Sequence, residues 1–398
     1  LVWAGSVGFR MNGIEGAAAR HLARALDRAG ARERRRDLVA AIQFFSGAAA
    51  DLDLEELDSP APPDPDRLPI GEPGAEPEVH LLPRRSLPAA FILQELAHPR
   101  VGDAVRPRLF PSGLAVWSVF GSPRARAALR SGGAEDFAGY PEAKLALAER
   151  FAPLYPFEAR RWGRTLYWGR LHAARPLLDL DLEAPCAFER TEAWADRRLQ
   201  ACLGSWVDAQ AGEPGTESRT GTGPMPAGGV LLPPPVFFAR LEALAAMARE
   251  GILSRAALRE GLGRPGRAGD PLLLLDRLER LLGRCREVGT ASREGRPLDA
   301  AARAFLDGLA ADLGALPVHG GTIGESEVAF SLHVRGRGTY HLVESTGPVD
   351  DLYVVGPGGA LRMGPAYRWG EAVYQDPPPS GPVDTEIPAF VRPWTTDR

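Results

Sequence analysis

Lysine is the most conspicuous shortage in this 398-residue chain. Lys144 is the single lysine among 47 basic residues, so arginine carries nearly all of the positive charge. The formal net charge is −4. No broad basic field is therefore available for a phosphate backbone, which argues against a general nucleic-acid binder. A Schiff-base or P-loop lysine mechanism has one candidate, and Lys144 lies in an ordinary helical pattern.

Cysteine is also scarce. The chain has three, Cys186, Cys202 and Cys285, and their spacing is wide. An odd, widely spaced set fits neither a disulfide-rich module nor a zinc site. Cys202 and Cys285 fall on apolar helical faces, which favours a role in the core. We therefore predict that all three are free thiols.

Long apolar runs are missing as well. No stretch approaches the roughly 18 apolar residues that a membrane span needs. No signal peptide is visible. Because the chain opens at Leu1, already inside a folded-looking pattern, this absence assigns no compartment. Glycine and proline are frequent instead, with 45 and 37 residues, which predicts long irregular connections.

Composition and hydrophobic period predict a mainly α fold. The pattern indicates a helical array, of which an α/α toroid is one form, followed by a small antiparallel β meander. Seven segments follow in order: an N-terminal helical segment (1–58), a Pro-rich linker (59–86), a central helical region (87–206), a Gly/Pro/Ser/Thr-rich loop (207–235), C-terminal helices (236–316), the β region (317–376) and a Pro-rich tail (377–398).

Three histidines lie near the predicted strands. His319, His333 and His341 would supply the nitrogen ligands that zinc prefers. Strand alternation sets His333 and His341 on one face only if the turn between their strands has three residues. The favoured interpretation is two solvent-facing strand residues and a loop residue, with no metal.

Catalytic motifs are weak. The segment 324–328 nearly matches the nucleophile elbow, but it lacks the final glycine and its serine precedes a strand. Asp179 and Asp181 alternate with leucines and could work as an acid/base pair, although a solvated connection is the favoured interpretation. Trp168 and Trp206 belong to an aromatic-rich stretch that could line a sugar or peptide cavity or could be core.

Several short segments resemble, in collinear order, the second half of a bacterial family of unknown function, the domain of unknown function (DUF) 3160 family. They are 91–96 (FILQEL), 110–114 (FPSGL), 166–169 (LYWG), 191–194 (TEAW), 203–206 (LGSW) and 352–355 (LYVV). The resemblance implies a bacterial protein that is periplasmic or extracellular, because family members are often exported or lipid-anchored. It implies no established reaction.

The departures from the family pattern concern polar residues. After the segment 203–206 the family tends to carry an R-H-D-T stretch, which is replaced here by a low-complexity loop. His333 is the one residue kept from an A-D-V-H pattern. We interpret this as a retained scaffold with an eroded polar site. The candidate ligand-binding residues are Arg85, Gln94, Trp168, Trp206 and His333.

Two functions stay open. The leading hypothesis is a non-catalytic or degenerate extracytoplasmic binding or scaffold protein, with an unknown ligand or protein partner and no cofactor. The alternative is a hydrolase that acts on carbohydrate or peptide in a helical cavity, using carboxylates such as Asp179, Asp181 or Glu192. Two carboxylates that converge within about 5–10 Å in a cavity would favour the hydrolase.

We expect the purified protein to hold no stoichiometric transition metal. Zinc needs three or four converging ligands, and the strand pattern brings at most two histidines together. Elemental analysis of protein prepared without a His-tag is the measurement. Near-stoichiometric zinc, iron or manganese that is lost on His333→Ala would contradict the expectation.

Overall fold

A computed structural model describes residues 88–151, 166–179, 181–182, 184, 186–211, 231–254, 271–314, 327–334, 338–346, 350–355, 361–366 and 368–375. The helices in these ranges are α1 Pro88–Glu95, α2 Leu114–Val119, α3 Pro123–Ser131, α4 Tyr140–Phe151, α5 Leu166–Ala174, α6 Glu192–Ala211, α7 Pro235–Leu253, α8 Pro271–Arg293 and α9 Ala300–Gly314. The strands are β1 Glu327–Val334, β2 Gly338–Thr346, β3 Asp350–Val355, β4 Leu361–Ala366 and β5 Trp369–Gln375. The predicted mainly α class is confirmed.

The described residues fall into two compact units, each made of separate stretches of chain. The first includes residues 166–173 of α5, 238–253 of α7 and 271–284 of α8. The second includes α2, α3, α4, α6, α9 and all five strands. The predicted segments 1–58, 59–86 and 377–398 lie outside the described residues.

Within the predicted central helical region, residues 114–131 form two helices, α2 and α3. Gly121 has a φ of +105°. A right-handed helix needs a negative φ at every residue, so α2 ends before Gly121. Ser122 then caps α3, because its hydroxyl accepts a hydrogen bond from the Ala125 N–H at 3.1 Å, and Pro123 occupies the first helical turn. Asp299 caps α9, since its side chain accepts a hydrogen bond from the Ala302 N–H at 2.7 Å.

Helix α6 runs further than its sequence pattern predicts. The predicted helix ends at Trp206 and the predicted loop begins at 207, whereas α6 continues to Ala211. Val207 is buried and extends the apolar face of the helix by one residue. Residues 212–230 of the predicted loop lie outside the described residues, and Pro235 at its end already begins α7.

The predicted small antiparallel β region is confirmed, and its five strands form two sheets. Strands β1, β2 and β5 make an antiparallel sheet in the order β1-β2-β5, and β3 pairs only with β4. The hairpin β3–β4 is thus an insertion between β2 and β5. The sequence pattern missed β5, because the alternating residues 369–375 include Gly370 and two polar side chains. The pairing of β2 with β5 decides which residues meet in the candidate site.

Helix α6 supports the second unit. It contacts all three strands of the larger sheet as well as α2 and α3. Its side chains Trp194, Leu199 and Leu203 have at most 1% of their surface exposed, and every residue of α2 is buried. Burial of this much apolar surface is the main stabilising contribution to the unit.

The three cysteines are free and buried, as predicted. Burial raises the pKa of Cys202 to about 12 and that of Cys285 to about 11. Both thiols are therefore protonated at neutral pH and unreactive as nucleophiles. Among the helices in the described ranges, none combines the length and the apolar character that crossing a bilayer requires.

A tight turn between α1 and α2 positions Arg108, a residue of the site described below. Gly102 bridges to Pro107, and the Arg108 N–H donates to the Val101 carbonyl at 3.4 Å. Gly102 has a φ of +87°. A Cβ atom there would lie 2.6 Å from the Arg106 oxygen and from the Arg108 nitrogen, so both conformation and space require glycine.

We predict that Gly102→Ala destabilises the protein more than Gly121→Ala. Both positions have a positive φ, which costs an alanine on the order of 1 kcal/mol. A Cβ at Gly121 meets nothing within 4 Å, whereas at Gly102 it meets backbone. Urea unfolding should therefore give Gly102→Ala an additional loss of about 1 kcal/mol or more. Equal losses would show that the turn moves aside freely.

Candidate functional site

A pocket of about 630 Å³ lies wholly within the second unit. One wall is α3 with the turn that follows it, where Ala127, Ala128 and Gly132 leave space open. The larger sheet contributes Leu342, Glu371 and Val373. Most of the residues that line the pocket are apolar, and they include Phe110, Leu114, Leu129 and Phe137. A mostly apolar cavity with a few polar groups is the usual form of a small-molecule site.

Two glutamates meet beside this pocket. Glu344 of β2 and Glu371 of β5 are direct partners in the antiparallel register. Directly opposite residues have Cβ atoms about 4.5–5.5 Å apart and lie on the same face of the sheet. Glu371 lines the pocket, whereas Glu344 has 0% of its surface exposed. The site thus contains one glutamate that lines the pocket, next to one that solvent does not reach.

The backbone at Gly113 holds the pair in place. Its N–H donates to Glu344 Oε1 at 2.8 Å. A Cβ at this position would lie 2.7 Å from Glu344 Oε2 and 2.8 Å from the Trp206 ring, so any side chain larger than hydrogen would collide with the site. Ser112, the preceding residue, is close enough to Glu371 to stabilise its charged form.

The pair resists ionisation. Burial raises the pKa of Glu344 well above its usual value, and the Glu371 charge raises that pKa further. Burial likewise raises the pKa of Glu371, against the opposing effects of Ser112, the Gly113 N–H and Arg108. Among the described residues, one oxygen of each carboxyl group, Oε2, is buried without a hydrogen-bond partner. When two buried carboxyl groups are neighbours, the state in which they hold one proton between them is favoured over the state in which both are ionised.

Arg108 supplies the positive charge nearest to Glu371. It is 4% exposed, donates from Nη1 to the Leu96 carbonyl at 2.7 Å, and stacks 4.8 Å from the Tyr140 ring centre. Burial lowers the pKa of Arg108, and the charge of Glu371 partly opposes this effect. One guanidinium neutralises one carboxylate. Ionisation of the second carboxyl group would leave a buried, uncompensated negative charge, which favours its protonated form.

Arg124 lines another part of the pocket and is held by α6. Its Nε and Nη2 donate to the two oxygens of Asp196 at 2.5 and 2.8 Å. Its Nη1 donates to Glu192 at 2.7 Å. This bidentate pair with a further carboxylate orients Arg124 strongly and more than neutralises its charge.

The candidate residues predicted from the sequence are spread over the chain. Arg85 lies outside the described residues. Gln94 lies on α1 and His333 on β1, and both side chains lie outside the described part. Trp168 is buried in the first unit. Trp206 is buried in the second unit against Gly113, and is thus the one candidate that we find next to the site.

Two of the three carboxylates proposed for a hydrolase form ion pairs, Asp181 with Arg293 and Glu192 with Arg124. The backbone carbonyl of Asp179 accepts a hydrogen bond from Arg198. Three residues separate β1 from β2, since Val334 pairs with Gly338, so the register assigns positions 333 and 341 to one face of the sheet. That face is opposite to Glu344. His319 lies outside the described residues, and the described ones hold no cluster of three or more His, Cys, Asp or Glu that could bind a metal. The expectation that no transition metal binds stays a prediction.

The sequence offered a faint signal for the glutamates. Side chains alternate between the two faces of a strand, so Glu344 lies on the same face as Leu342, and Val343 lies on the other. All three are buried, so an ionisable residue occupies an internal position. Glu371 sits beside Trp369 and Gly370, and no strand was predicted there. Joining the two required knowing that β5 returns beside β2, which no local pattern encodes.

With this geometry established, the comparisons give the family. The sequence matches the model of the family described as a protein of unknown function (DUF3160) over residues 71–364. The chain belongs to this family. The matched region contains Arg108, Arg124 and Glu344, and Glu371 lies just beyond it. Comparisons with curated proteins and with solved structures gave no match.

We predict that Glu344→Gln stabilises the protein increasingly as the pH rises. A carboxyl group with a raised pKa in the folded state contributes its full stability below the ordinary value of 4.5 and loses it as the pH rises through the folded value. Glutamine keeps the shape, accepts from the Gly113 N–H, and does not ionise. The stability gain should grow with pH, by at most about 1.4 kcal/mol per pH unit.

Urea unfolding of wild type and variant from pH 4.5 to 8 measures this effect. Glu149→Gln, at an exposed glutamate of α4, controls for the loss of one negative charge. A difference between Glu344→Gln and wild type that stays constant over this range would show that Glu344 titrates normally.

Proposed function

We propose that this chain is a non-catalytic binding protein for a small amphipathic molecule, which the pocket beside β2 and β5 receives. One observation carries the proposal. A cavity of about 630 Å³ has a largely apolar lining that includes one acidic residue, Glu371. Such a site orients a ligand through one polar contact and binds it through apolar surface.

The geometry favours binding over hydrolysis. A glycosidase needs two carboxyl groups that both reach the substrate. Glu371 reaches the pocket, but its partner Glu344 has no exposed surface. The described residues that line the pocket include no histidine, cysteine or lysine to activate Ser112 or Ser131. Glu344 therefore serves to set the protonation of Glu371 rather than to attack a substrate.

The family resemblance, and not the geometry, supports a location for this activity. We propose that the protein acts in the periplasm or outside the cell of a bacterium, as a secreted protein or lipoprotein. Binding of small molecules is compatible with that location. Fractionation of the native host, with detection of this chain, tests the proposal separately from binding.

The neutral fluorophore N-phenyl-1-naphthylamine is a suitable probe of the pocket. We predict saturable binding with one site per chain, seen as a rise in fluorescence. Ala128→Trp should weaken it at least about tenfold, because the indole fills the cavity beside α3. Ala301→Trp, at an exposed position on α9, is the matched control and should leave the affinity within about twofold.

Two outcomes would count against the proposed function. One is the absence of saturable binding by the wild-type protein. The other is equal binding by Ala128→Trp and Ala301→Trp, which would place the probe elsewhere. Release of product from chromogenic glycosides or peptides, abolished by Glu371→Gln, would instead favour the hydrolase.

A further inference from the structure

The charges around the pocket do not balance. Among the described residues, two guanidiniums, those of Arg108 and Arg124, contact or face four carboxyl groups, those of Glu344, Glu371, Asp196 and Glu192. Asp196 and Glu192 already exceed the charge of Arg124. Arg108 faces the glutamate pair alone. When every group ionises, the region carries an excess of two negative charges.

We infer that the ligand is an organic cation, an amphipathic amine, whose ammonium group binds at Glu371 and replaces a proton held between Glu344 and Glu371. The inference rests on the proposed function, since it names the ligand class for that same pocket. The amine's apolar part would lie against the wall formed by Leu114, Leu129 and Phe137.

The exchange leaves the buried charge unchanged. Before binding, one proton and Arg108 together neutralise the two glutamates. After binding, the ammonium group takes the place of that proton, which leaves to solvent, and the sum is again zero. Adding a cation without releasing the proton would leave one uncompensated positive charge in the interior, which is costly.

The groups that face the pair support this assignment. From the segment before α2 come Arg108, Ser112 and the Gly113 N–H, and from β5 the Trp369 indole lies near Glu344. From α6 comes the Trp206 ring, and β1 places Val328 opposite Glu344 in the register. Among the described residues, Arg108 is the sole cation whose charge stabilises ionised Glu371.

An anionic ligand fits poorly. Arg124 is the guanidinium on the α3 side of the pocket, and three of its N–H groups already donate to Asp196 and Glu192. Arg108 is buried, stacks on Tyr140 and donates to the Leu96 carbonyl. An incoming carboxylate or phosphate would also meet Glu371. Positive ligand charge is therefore the sign that the site favours.

Calorimetric titration with n-hexylamine tests the inference, with 1-hexanol and hexanoate as neutral and anionic probes of matched length. At pH 7 the amine should bind at least about tenfold more tightly than either. Its observed binding enthalpy should differ between phosphate and MOPS buffers. The difference should equal the difference between the ionisation enthalpies of the two buffers, multiplied by about one released proton. Its affinity should rise with pH between 5.5 and 7.5, up to tenfold per unit.

Two variants locate the effect. Glu371→Gln should weaken hexylamine at least about tenfold, whereas Glu149→Gln, at an exposed glutamate of α4, should leave the affinity within about twofold. Urea unfolding shows whether both variants are folded. Glu344→Gln should abolish the buffer dependence, because Glu371 beside Arg108 then has no second carboxylate that holds a proton. The buffer comparison on wild type needs no variant.

The failures are distinguishable. If the neutral dye binds in the pocket but hexylamine binds no better than hexanol, the proposed function stands and this inference is wrong. If hexylamine binds well with the same enthalpy in both buffers, the proton exchange is wrong. If wild-type protein binds neither the dye nor the amine, both the inference and the proposed function fail.

Discussion

The approach of the Gly113 backbone to two neighbouring glutamates is the constraint on which the second unit depends. Glu344 has no exposed surface and stands directly opposite Glu371. Carboxyl groups in such a place need donors, a compensating cation or a proton. Gly113 supplies a donor at 2.8 Å, and Arg108 supplies the cation. The turn at 101–108, the start of α2 and the strands β2 and β5 must therefore be correctly placed together.

Helix α6 joins the two sides of the site. Its Trp206 packs against Gly113, and thus against the backbone that holds Glu344. One helical stretch earlier, its Asp196 fixes Arg124 on α3 through two hydrogen bonds. The same helix therefore supports both the backbone that holds Glu344 and the α3 wall of the pocket. A site built on regular elements in this way keeps its geometry better than one built on loops.

Much of the fold could be predicted from the sequence, whereas the site could not. Apolar periodicity locates most helices; Pro88 begins α1, Asp299 caps α9, and the alternating residues 328–334 lie within β1. Periodicity did not register Gly121, whose backbone conformation divides α2 from α3. It also could not place β5 beside β2 across the inserted hairpin β3–β4. The two glutamates meet only through that long-range pairing. The local sequence pattern around Glu371 predicts no strand, so it gives no indication that Glu371 lies beside Glu344.

The position of the pair beside a cavity is easier to explain by a ligand than by folding. Two opposed strand residues on a buried face pack most favourably when both are apolar, and replacing buried charged groups with apolar ones is often stabilising. The flanking pairs on this face of the sheet are Leu342 with Val373 and Thr346 with Trp369, so an apolar or neutral pair would fit between them. Two ionisable groups there lower stability at neutral pH. Where a sequence departs from the pattern that its fold favours, at the edge of a pocket, function is the usual reason.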